Sequence, residues 1–148
     1  MKLNSTTDHA IRILVLLAKS GDRLQSTYLS DEINLSRRYL YKIAARLRKA
    51  KLLCVTKGPE GGYSLASVPA EISLYDIIEA LEGPMQLPDH VEESKHGNAL
   101  GSVYLYFQGF FCRFTKMITL DILALYSDEE LKQLANDFVT TEKARLFM

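Results

Sequence analysis

The sequence predicts a mainly α-helical chain with one small β-hairpin, arranged as a winged helix-turn-helix followed by a long helix. Three patterns support this fold class. Two helical segments lead into a basic amphipathic helix over residues 37–50, and a hairpin over residues 53–66 follows it directly. An aromatic-rich helical segment over residues 99–116 predicts the long helix.

The first two helices are marked by the residues at their ends. We expect the first helix to begin at Ser5 or Thr6 and to end at Gly21. Its central residues are apolar on nearly every side, which is typical of a helix buried between partners. Ser26 and Thr27 are the expected caps of a short second helix.

The third helix carries a core face and a basic face. Ser36 is its expected N-cap, and the helix runs to about Ala50. The core face repeats at helical spacing in Leu40, Ile43, Ala44 and Leu47. The opposite face holds Arg38, Tyr41, Lys42, Ala45 and Lys49. A turn followed by a basic amphipathic helix is the order of a helix-turn-helix.

A hairpin follows the third helix without a break. Residues 53–57 are predicted as a strand, residues 58–62 as a glycine-rich turn and residues 63–66 as the returning strand. A hairpin in this place is a wing, and its glycines permit a close approach to a phosphate. We interpret Cys54, in the first strand, as a structural residue.

The remaining segments are helical apart from one loop. Ser73 and Asp76 have the spacing of a capping box for a fourth helix, which Gly83 ends. Polar residues 84–98 predict a loop. After the long helix, residues 119–126 are predicted as a short helix or as its continuation, and a capping box at residues 127–130 opens the last helix.

We therefore divide the chain into a winged helix-turn-helix domain (residues 1–83), a loop (84–98) and a helical region (99–148). Residues 1–60 hold 12 Lys and Arg against 5 Asp and Glu, a net charge of +7, whereas the whole chain is neutral. This asymmetry favours a polyanion as partner of the first half. With no apolar run long enough to span a bilayer and no secretory signal pattern, we expect a cytoplasmic protein without membrane contact.

Several segments together resemble the Rrf2 family of transcriptional regulators. The similar segments are Met1-Lys2-Leu3, Thr7-Asp8-His9-Ala10-Ile11-Arg12, Leu35-Ser36, Tyr39-Leu40, Arg46-Leu47-Arg48-Lys49-Ala50, Lys57-Gly58-Pro59-Glu60-Gly61-Gly62-Tyr63 and Ile72-Ser73-Leu74-Tyr75-Asp76-Ile77-Ile78. The glycine-rich wing placed directly after the third helix is the most specific of them. The resemblance covers residues 1–83 closely and the remainder only in layout.

The resemblance implies a homodimeric regulator, either a repressor or an activator, that binds double-stranded DNA, and we expect a repressor. It implies that the third helix enters the major groove, that the wing meets the minor groove and that the long helix crosses its twin. The implied base-reading residues are Arg37, Arg38, Tyr41 and Lys42. The implied phosphate contacts are Ser36, Arg46 and Lys49, and those of the wing are Lys57, Gly58, Gly61 and Gly62.

The chain departs from the family pattern in its cysteines. Many members hold an iron–sulfur cluster with three cysteines in the loop before the long helix, and residues 84–98 contain none. Asp8 matches a carboxylate ligand of some members, although an acidic residue in the first turn of a helix is common without any metal. We expect no cofactor; an iron–sulfur cluster is the alternative.

The signal that the protein senses is left open between two features of the long helix. Cys112 lies beside Arg113 and is either a redox-sensing thiol or a small buried apolar residue. Six of the 14 aromatic residues fall within residues 104–114. The aromatic stripe comprises Tyr106, Phe107, Phe110, Phe111 and Phe114. This stripe is either packed in a core or dimer interface, or binds a small effector with an aromatic system such as haem, a flavin or a quinone.

Two other classes of function compete with that of a DNA-binding regulator. A winged helix also serves as a protein-docking surface, but docking alone leaves the basic face of the third helix unexplained. An enzyme is not expected, because the sequence holds no nucleophile elbow, phosphate loop or metalloprotease motif.

Overall fold

A computed structural model describes residues 4–85 and 99–146. The elements are α1 (Ser5–Ser20), α2 (Ser26–Ile33), α3 (Arg37–Lys49), β1 (Leu53–Thr56), β2 (Gly62–Leu65), a 3-10 turn (Pro69–Glu71), α4 (Leu74–Glu82), α5 (Ala99–Met117), α6 (Leu120–Leu125) and α7 (Asp128–Leu146). The mainly α fold with one antiparallel hairpin is confirmed. Most of the predicted loop, residues 86–98, lies outside the described residues.

Two of the predicted helix caps are wrong by one residue. The side chain of Asn4 accepts a hydrogen bond from the backbone N–H of Thr6 at 3.1 Å, so α1 is capped by Asn4 and not by Ser5 or Thr6. Asn is as good an N-cap as Ser, and the helix begins one residue earlier. Gln25 holds the cap position of α2 without a side-chain hydrogen bond, and residues 26 and 27 lie inside the helix.

The predicted N-terminal caps of α3 and α4 are confirmed. The Ser36 hydroxyl accepts the backbone N–H of Tyr39 at 3.3 Å and opens α3. Ser73 and Asp76 form a reciprocal capping box at the start of α4, with the Asp76 N–H 3.2 Å from Ser73 Oγ and the Ser73 N–H 2.9 Å from Asp76 Oδ2. Both helices therefore begin at positions that the sequence defines.

The hydrophobic core is built around α1. Ala10, Ile13 and Leu14 are fully buried, as expected for a helix that is apolar on nearly every side. The predicted core face of α3 is confirmed, since all four of its residues are buried. The same core cluster also takes in Leu29, Leu53, Tyr63, Ile72, Ile77 and Leu120.

The hairpin is short and attached to the domain by a third segment. β1 and β2 are antiparallel, with Leu53 opposite Leu65 and Thr56 opposite Gly62. Leu24 extends the pair through two hydrogen bonds of 2.9 Å with the backbone of Tyr63. Because only the first residue of β1 reaches the core, Cys54 is exposed, and its interpretation as a buried structural residue is wrong.

Backbone hydrogen bonds join the beginning of α4 to the segment between α5 and α6. The Leu74 N–H donates to the Ile118 carbonyl at 2.7 Å, and the Leu120 N–H donates to the Ile72 carbonyl at 2.9 Å. These bonds flank an antiparallel bridge of Ser73 with Thr119. α6 then packs against α1, so the end of α5 is fixed to the helix-turn-helix core.

α7 packs on the C-terminal half of α5 through one aromatic and one ionic contact. The ring of Phe138 lies 5.2 Å from that of Phe110 and 5.3 Å from that of Phe114. Glu142, only 5% exposed, accepts bonds from the Arg113 guanidinium, one of them from Nε at 3.1 Å. Hydrogen bonding to Arg113 holds the pKa of the Glu142 carboxyl below its usual range, so the pair is ionised.

Within residues 4–85 and 99–146, none of the helices combines the length and the apolar character needed to cross a bilayer.

The predicted capping box of the last helix is confirmed. The Ser127 N–H donates to Glu130 Oε2 at 2.8 Å, and the Ser127 hydroxyl accepts a hydrogen bond from the Glu130 N–H at 3.4 Å.

Replacing Gly62 by Ala is expected to destabilise the domain, because a Cβ there would overlap the Leu24 carbonyl oxygen. We expect a loss of about 2–3 kcal/mol in the free energy of unfolding, measured by urea denaturation. Gly21→Ala is the matched control: its φ is also positive, at +68°, but the added Cβ meets nothing within 4 Å. It should cost about 1 kcal/mol from backbone strain alone. Equal losses in the two variants would show that the Leu24 contact is unimportant.

Candidate nucleic-acid interface

The N-terminal part of α3 presents a basic surface to solvent. Arg37, Arg38 and Lys42 are exposed and form no ion pair with any residue in the described ranges. The turn between α2 and α3 is stabilised by the Ser30 hydroxyl, which donates to the Leu35 carbonyl at 2.5 Å. The predicted base-reading residues are therefore all accessible in the first two turns of the helix.

Tyr41, on α3, lines one groove with residues of the wing. Its side chain is half exposed, and it sits close enough to Tyr63 to contribute to the raised pKa of that phenol, which burial raises most. The two rings help to line an open groove of about 370 Å³ that also includes Ser26, Thr27 and Lys57. The groove lies between α3 and the hairpin. In winged helix-turn-helix proteins, the DNA backbone runs at this place, between the groove contact of the helix and that of the wing.

The wing glycines are required by the fold of the hairpin itself. Gly58 has φ +105°, a conformation that other residues rarely adopt. A Cβ on Gly61 would overlap the Thr56 carbonyl oxygen. Gly62 meets the Leu24 carbonyl in the same way. The backbone conformation and close packing of the hairpin tip are enough to require glycine at these positions. The contact of these glycines with DNA stays a prediction, and so does that of the exposed Lys57.

Arg23, in the segment between α1 and α2, contacts the wing, which the sequence alone did not reveal. Its Nη1 donates to the backbone carbonyl of Glu60 at the hairpin tip, at 2.6 Å. Arg23 comes just before the segment that bridges to Tyr63, so it ties the tip to the body of the domain. In the sequence, only a basic residue near a predicted turn was visible, and no spacing rule connects positions 23 and 60.

Arg46 and Lys49, both expected to meet phosphates, differ in their surroundings. Lys49 is exposed in the last turn of α3. Arg46 is also exposed, but its Nη2 donates to the Leu81 carbonyl in the last turn of α4 at 2.6 Å. Beside it, Glu82 accepts hydrogen bonds from the Thr7 hydroxyl and the Asn4 N–H, which hold the pKa of its carboxyl below the usual range.

The aromatic stripe of the long helix is divided into two parts. Phe110 and Phe114 stack at 6.4 Å and are covered by Phe138, so this part packs within the chain. Tyr106 and Phe107 are exposed by 61% and 53%. Phe111 is half-buried. The structure therefore brings two of the five aromatic residues together and leaves two at the surface.

Cys112 is half-buried where α5 meets α4. Two neighbours mark its position. The pKa of Tyr75 is raised chiefly by a hydrogen bond to Glu79, and a Cys112 thiolate raises it further. The pKa of Arg113 is raised chiefly by Glu142, again with a contribution from Cys112. Cys112 thus lies near a phenol of α4 and the ion pair that holds α7.

The donor set does not fit a thiolate-held iron–sulfur cluster. The sequence has two cysteines, one on β1 and one on α5. Among residues 4–85 and 99–146, no three His, Cys, Asp or Glu side chains are grouped as metal ligands. Asp8 pairs with Arg12 at 2.9 Å. His9 lies edge-on to Tyr39, and its buried Nδ1 has no hydrogen-bond partner in the described part of the chain.

Comparison with known proteins gives consistent relatives. Residues 3–124 match the Rrf2 family, described as iron-dependent transcriptional regulators. The HTH-type transcriptional regulator CymR of Bacillus subtilis is 30% identical over 132 residues, which cover 88% of this chain and 94% of CymR. The solved structure of CymR, the global cysteine regulator of B. subtilis, superposes with a TM-score of 0.74 at 27% identity, over 86% of this chain and 99% of CymR.

The oxidized form of Staphylococcus aureus CymR is also similar, with a TM-score of 0.69 at 29% identity over 86% of this chain and 99% of that one. These relatives are transcriptional regulators and not enzymes, and they share the winged helix described above. In winged helix-turn-helix proteins, the third helix beside the wing is the element that enters a groove of DNA. The chain belongs to the Rrf2 family of DNA-binding helix-turn-helix transcriptional regulators.

Proposed function

We propose that this regulator is a homodimer that binds a near-palindromic operator and represses transcription by occupying it. The observation that carries the proposal is the exposed basic surface of Arg37, Arg38 and Lys42 beside the wing. Arg and Lys pair with guanine more often than other residues do. Two such helices related by a twofold axis would read half-sites about one helical turn apart, or a multiple of it. A dimer bound to both half-sites would block the binding of RNA polymerase to the promoter.

Base reading predicts a loss of specificity when either side chain is removed. Arg38→Ala and Lys42→Ala should each weaken binding to a duplex enriched from a random library by about 1–3 kcal/mol, and weaken binding to a shuffled duplex much less. Fluorescence anisotropy at several salt concentrations measures both affinities. Lys132→Ala, on α7 and paired with Glu129 at 2.8 Å, is the control and should bind normally. Equal losses on both duplexes would identify Arg38 and Lys42 as phosphate contacts.

The surface for the second copy is the N-terminal half of α5. Leu100, Val103, Tyr106 and Phe107 are each at least half exposed, whereas Phe138 covers the continuation of their stripe. Residues 99–112 contain no charged side chain. A twofold axis brings each residue near its own copy, so charges close to the axis would repel each other. An uncharged apolar stripe is therefore suited to an identical partner.

A charge in this stripe is expected to separate the dimer. Phe107→Glu places two carboxylates in the proposed interface, and we expect a monomer by size-exclusion chromatography with light scattering. The same variant should lose most of its operator affinity, since a monomer contacts only one half-site. Val68→Glu, at an exposed apolar position of the N-terminal half, is the control and should remain dimeric. A dimeric Phe107→Glu protein would place the interface elsewhere.

The proposed signal is oxidation of Cys112. A thiolate attacks hydrogen peroxide, breaks the O–O bond, forms a sulfenate and releases water. The added oxygen would lie where α5 meets α4, near Tyr75 and Arg113. The solved oxidized form of S. aureus CymR supports redox control in a similar protein. An aromatic effector is disfavoured because Phe138 occupies one part of the stripe and the proposed dimer the other.

Peroxide is expected to lower operator affinity reversibly through Cys112. Wild-type protein and Cys54→Ser should both lose affinity on peroxide treatment and regain it with dithiothreitol, whereas Cys112→Ser should not respond. Cys54 is the more exposed thiol, so it controls for non-specific oxidation. Mass spectrometry reports the extent of oxidation at each position. A loss of response in Cys54→Ser instead would assign sensing to the wing.

A further inference from the structure

Arg46 supplies a positive charge that the end of α4 lacks. The last carbonyls of a helix have no partner within the helix and form the negative end of its dipole. α4 has no basic residue in its last turn, where Glu82 adds a negative charge. Arg46 of α3 donates to the Leu81 carbonyl at 2.6 Å. The guanidinium of the recognition helix thus caps its neighbour.

Tyr39 provides a second polar contact on the same side of α3. Its hydroxyl lies 2.7 Å from Thr6 Oγ1 on α1. Positions 39 and 46 are about two helical turns apart, and at about 100° per residue they share one side of the helix. That side is turned by roughly 70° from the mean direction of Arg38, Lys42 and Lys49, and Lys42 is the nearest of these to Arg46. The side chains that fix α3 to the domain therefore lie beside the stripe proposed to face DNA and not within it.

The hydrogen bonds of Arg46 and Tyr39 restrict the rotation of α3 about its own axis, which apolar packing alone does not. Apolar packing of Leu40, Ile43 and Leu47 is non-directional, so it resists separation of α3 from the domain more than rotation about its axis. Hydrogen bonds have preferred distances and angles. Contacts at both ends of one side fix the rotation of α3, and with it the direction in which its base-reading side chains point.

α4 also connects α3 to the long helix. Its first turn bonds to the segment after α5 through Leu74 and Ile118, and its last turn meets α3 through Leu81. Glu82 joins the same end to α1 through Thr7 and Asn4. A displacement of α4 at its junction with α5 would therefore move the carbonyl that Arg46 holds.

We infer that Arg46 is a positioning residue, which sets the orientation of the recognition helix against the end of α4 and does not bind a phosphate. This inference rests on the proposed function, because it concerns how α3 presents its base-reading side chains. It replaces the phosphate contact that the sequence predicted for Arg46. It also makes α4 the element through which a change in α5 reaches the DNA surface.

The test compares affinity and salt dependence in Arg46→Gln and Lys49→Gln. Both variants lose one positive charge near the end of α3. The probes are a duplex enriched from a random library by the wild-type protein and a shuffled duplex of equal length and composition. Each phosphate contact contributes about 0.9 to the slope of log K against log salt concentration. The slope therefore separates a phosphate ligand from a residue that acts through geometry.

We expect Arg46→Gln to weaken binding to the enriched duplex about tenfold, as for loss of a hydrogen bond to a charged group, with the salt slope and shuffled-duplex affinity unchanged. Lys49→Gln should lower the slope by about 1 and weaken both duplexes alike. Arg46→Lys keeps a charged donor and should recover most of the specificity. A slope reduced by about 1 in Arg46→Gln, or wild-type behaviour on both duplexes, overturns the inference.

Folding is checked by circular dichroism and urea denaturation of each variant. If Arg46→Gln does not fold, Tyr39→Phe tests the positioning of α3 instead, because it removes only the hydroxyl that contacts Thr6. It should lower enriched-duplex affinity without changing the slope, and unchanged affinity overturns the inference. If the wild-type protein enriches no sequence at all, the proposed function has failed instead.

Discussion

The burial of α1 between the helix-turn-helix and α6 is the constraint on which the remaining structure depends. Ala10, Ile13 and Leu14 lose all contact with solvent, because α3 and the hairpin cover one side and α6 covers another. A helix that is apolar on nearly every side is stable only where neighbouring elements cover it. α6 follows α5 directly, so covering α1 also fixes the end of the long helix to the DNA-binding half.

Polar contacts then determine how the helices are oriented within that packing. Arg46, Tyr39 and Glu82 link three helices through side chains that reach carbonyls, hydroxyls and a helix end. Each such bond contributes about 1 kcal/mol net between neutral groups and about 1.5–3 kcal/mol where one partner is charged, which is small beside the core. Their importance lies in direction, since base reading requires side chains to be placed within a few tenths of an ångström.

Local patterns in the sequence predicted the local features of the fold. The core face of α3, its Ser36 cap and the capping box of α4 were all predictable because each depends on residues within a few positions of each other. The hairpin was predictable for the same reason. Cys54 was misjudged because its exposure depends on how far the core extends along β1, which is a tertiary property.

The candidate site was predictable as a surface and not as a set of contacts. Periodicity placed Arg38 and Lys42 on the exposed side of α3, but nothing in the sequence connects position 46 with position 81 or position 23 with position 60. The packing of Phe138 on Phe110 and Phe114 was equally hidden, because a helical stripe does not identify its partner.

The uncharged stretch of residues 99–112 has a consequence for the choice of partner in the proposed dimer. Coiled-coil proteins commonly reject unwanted partners by placing like charges opposite each other, and an interface without charges has no such means. Discrimination between this chain and a related regulator in the same cell would rest on the shapes of Val103, Tyr106 and Phe107 alone. Mixed dimers, reading two different half-sites, would then be excluded by fit and by relative abundance, not by electrostatic repulsion.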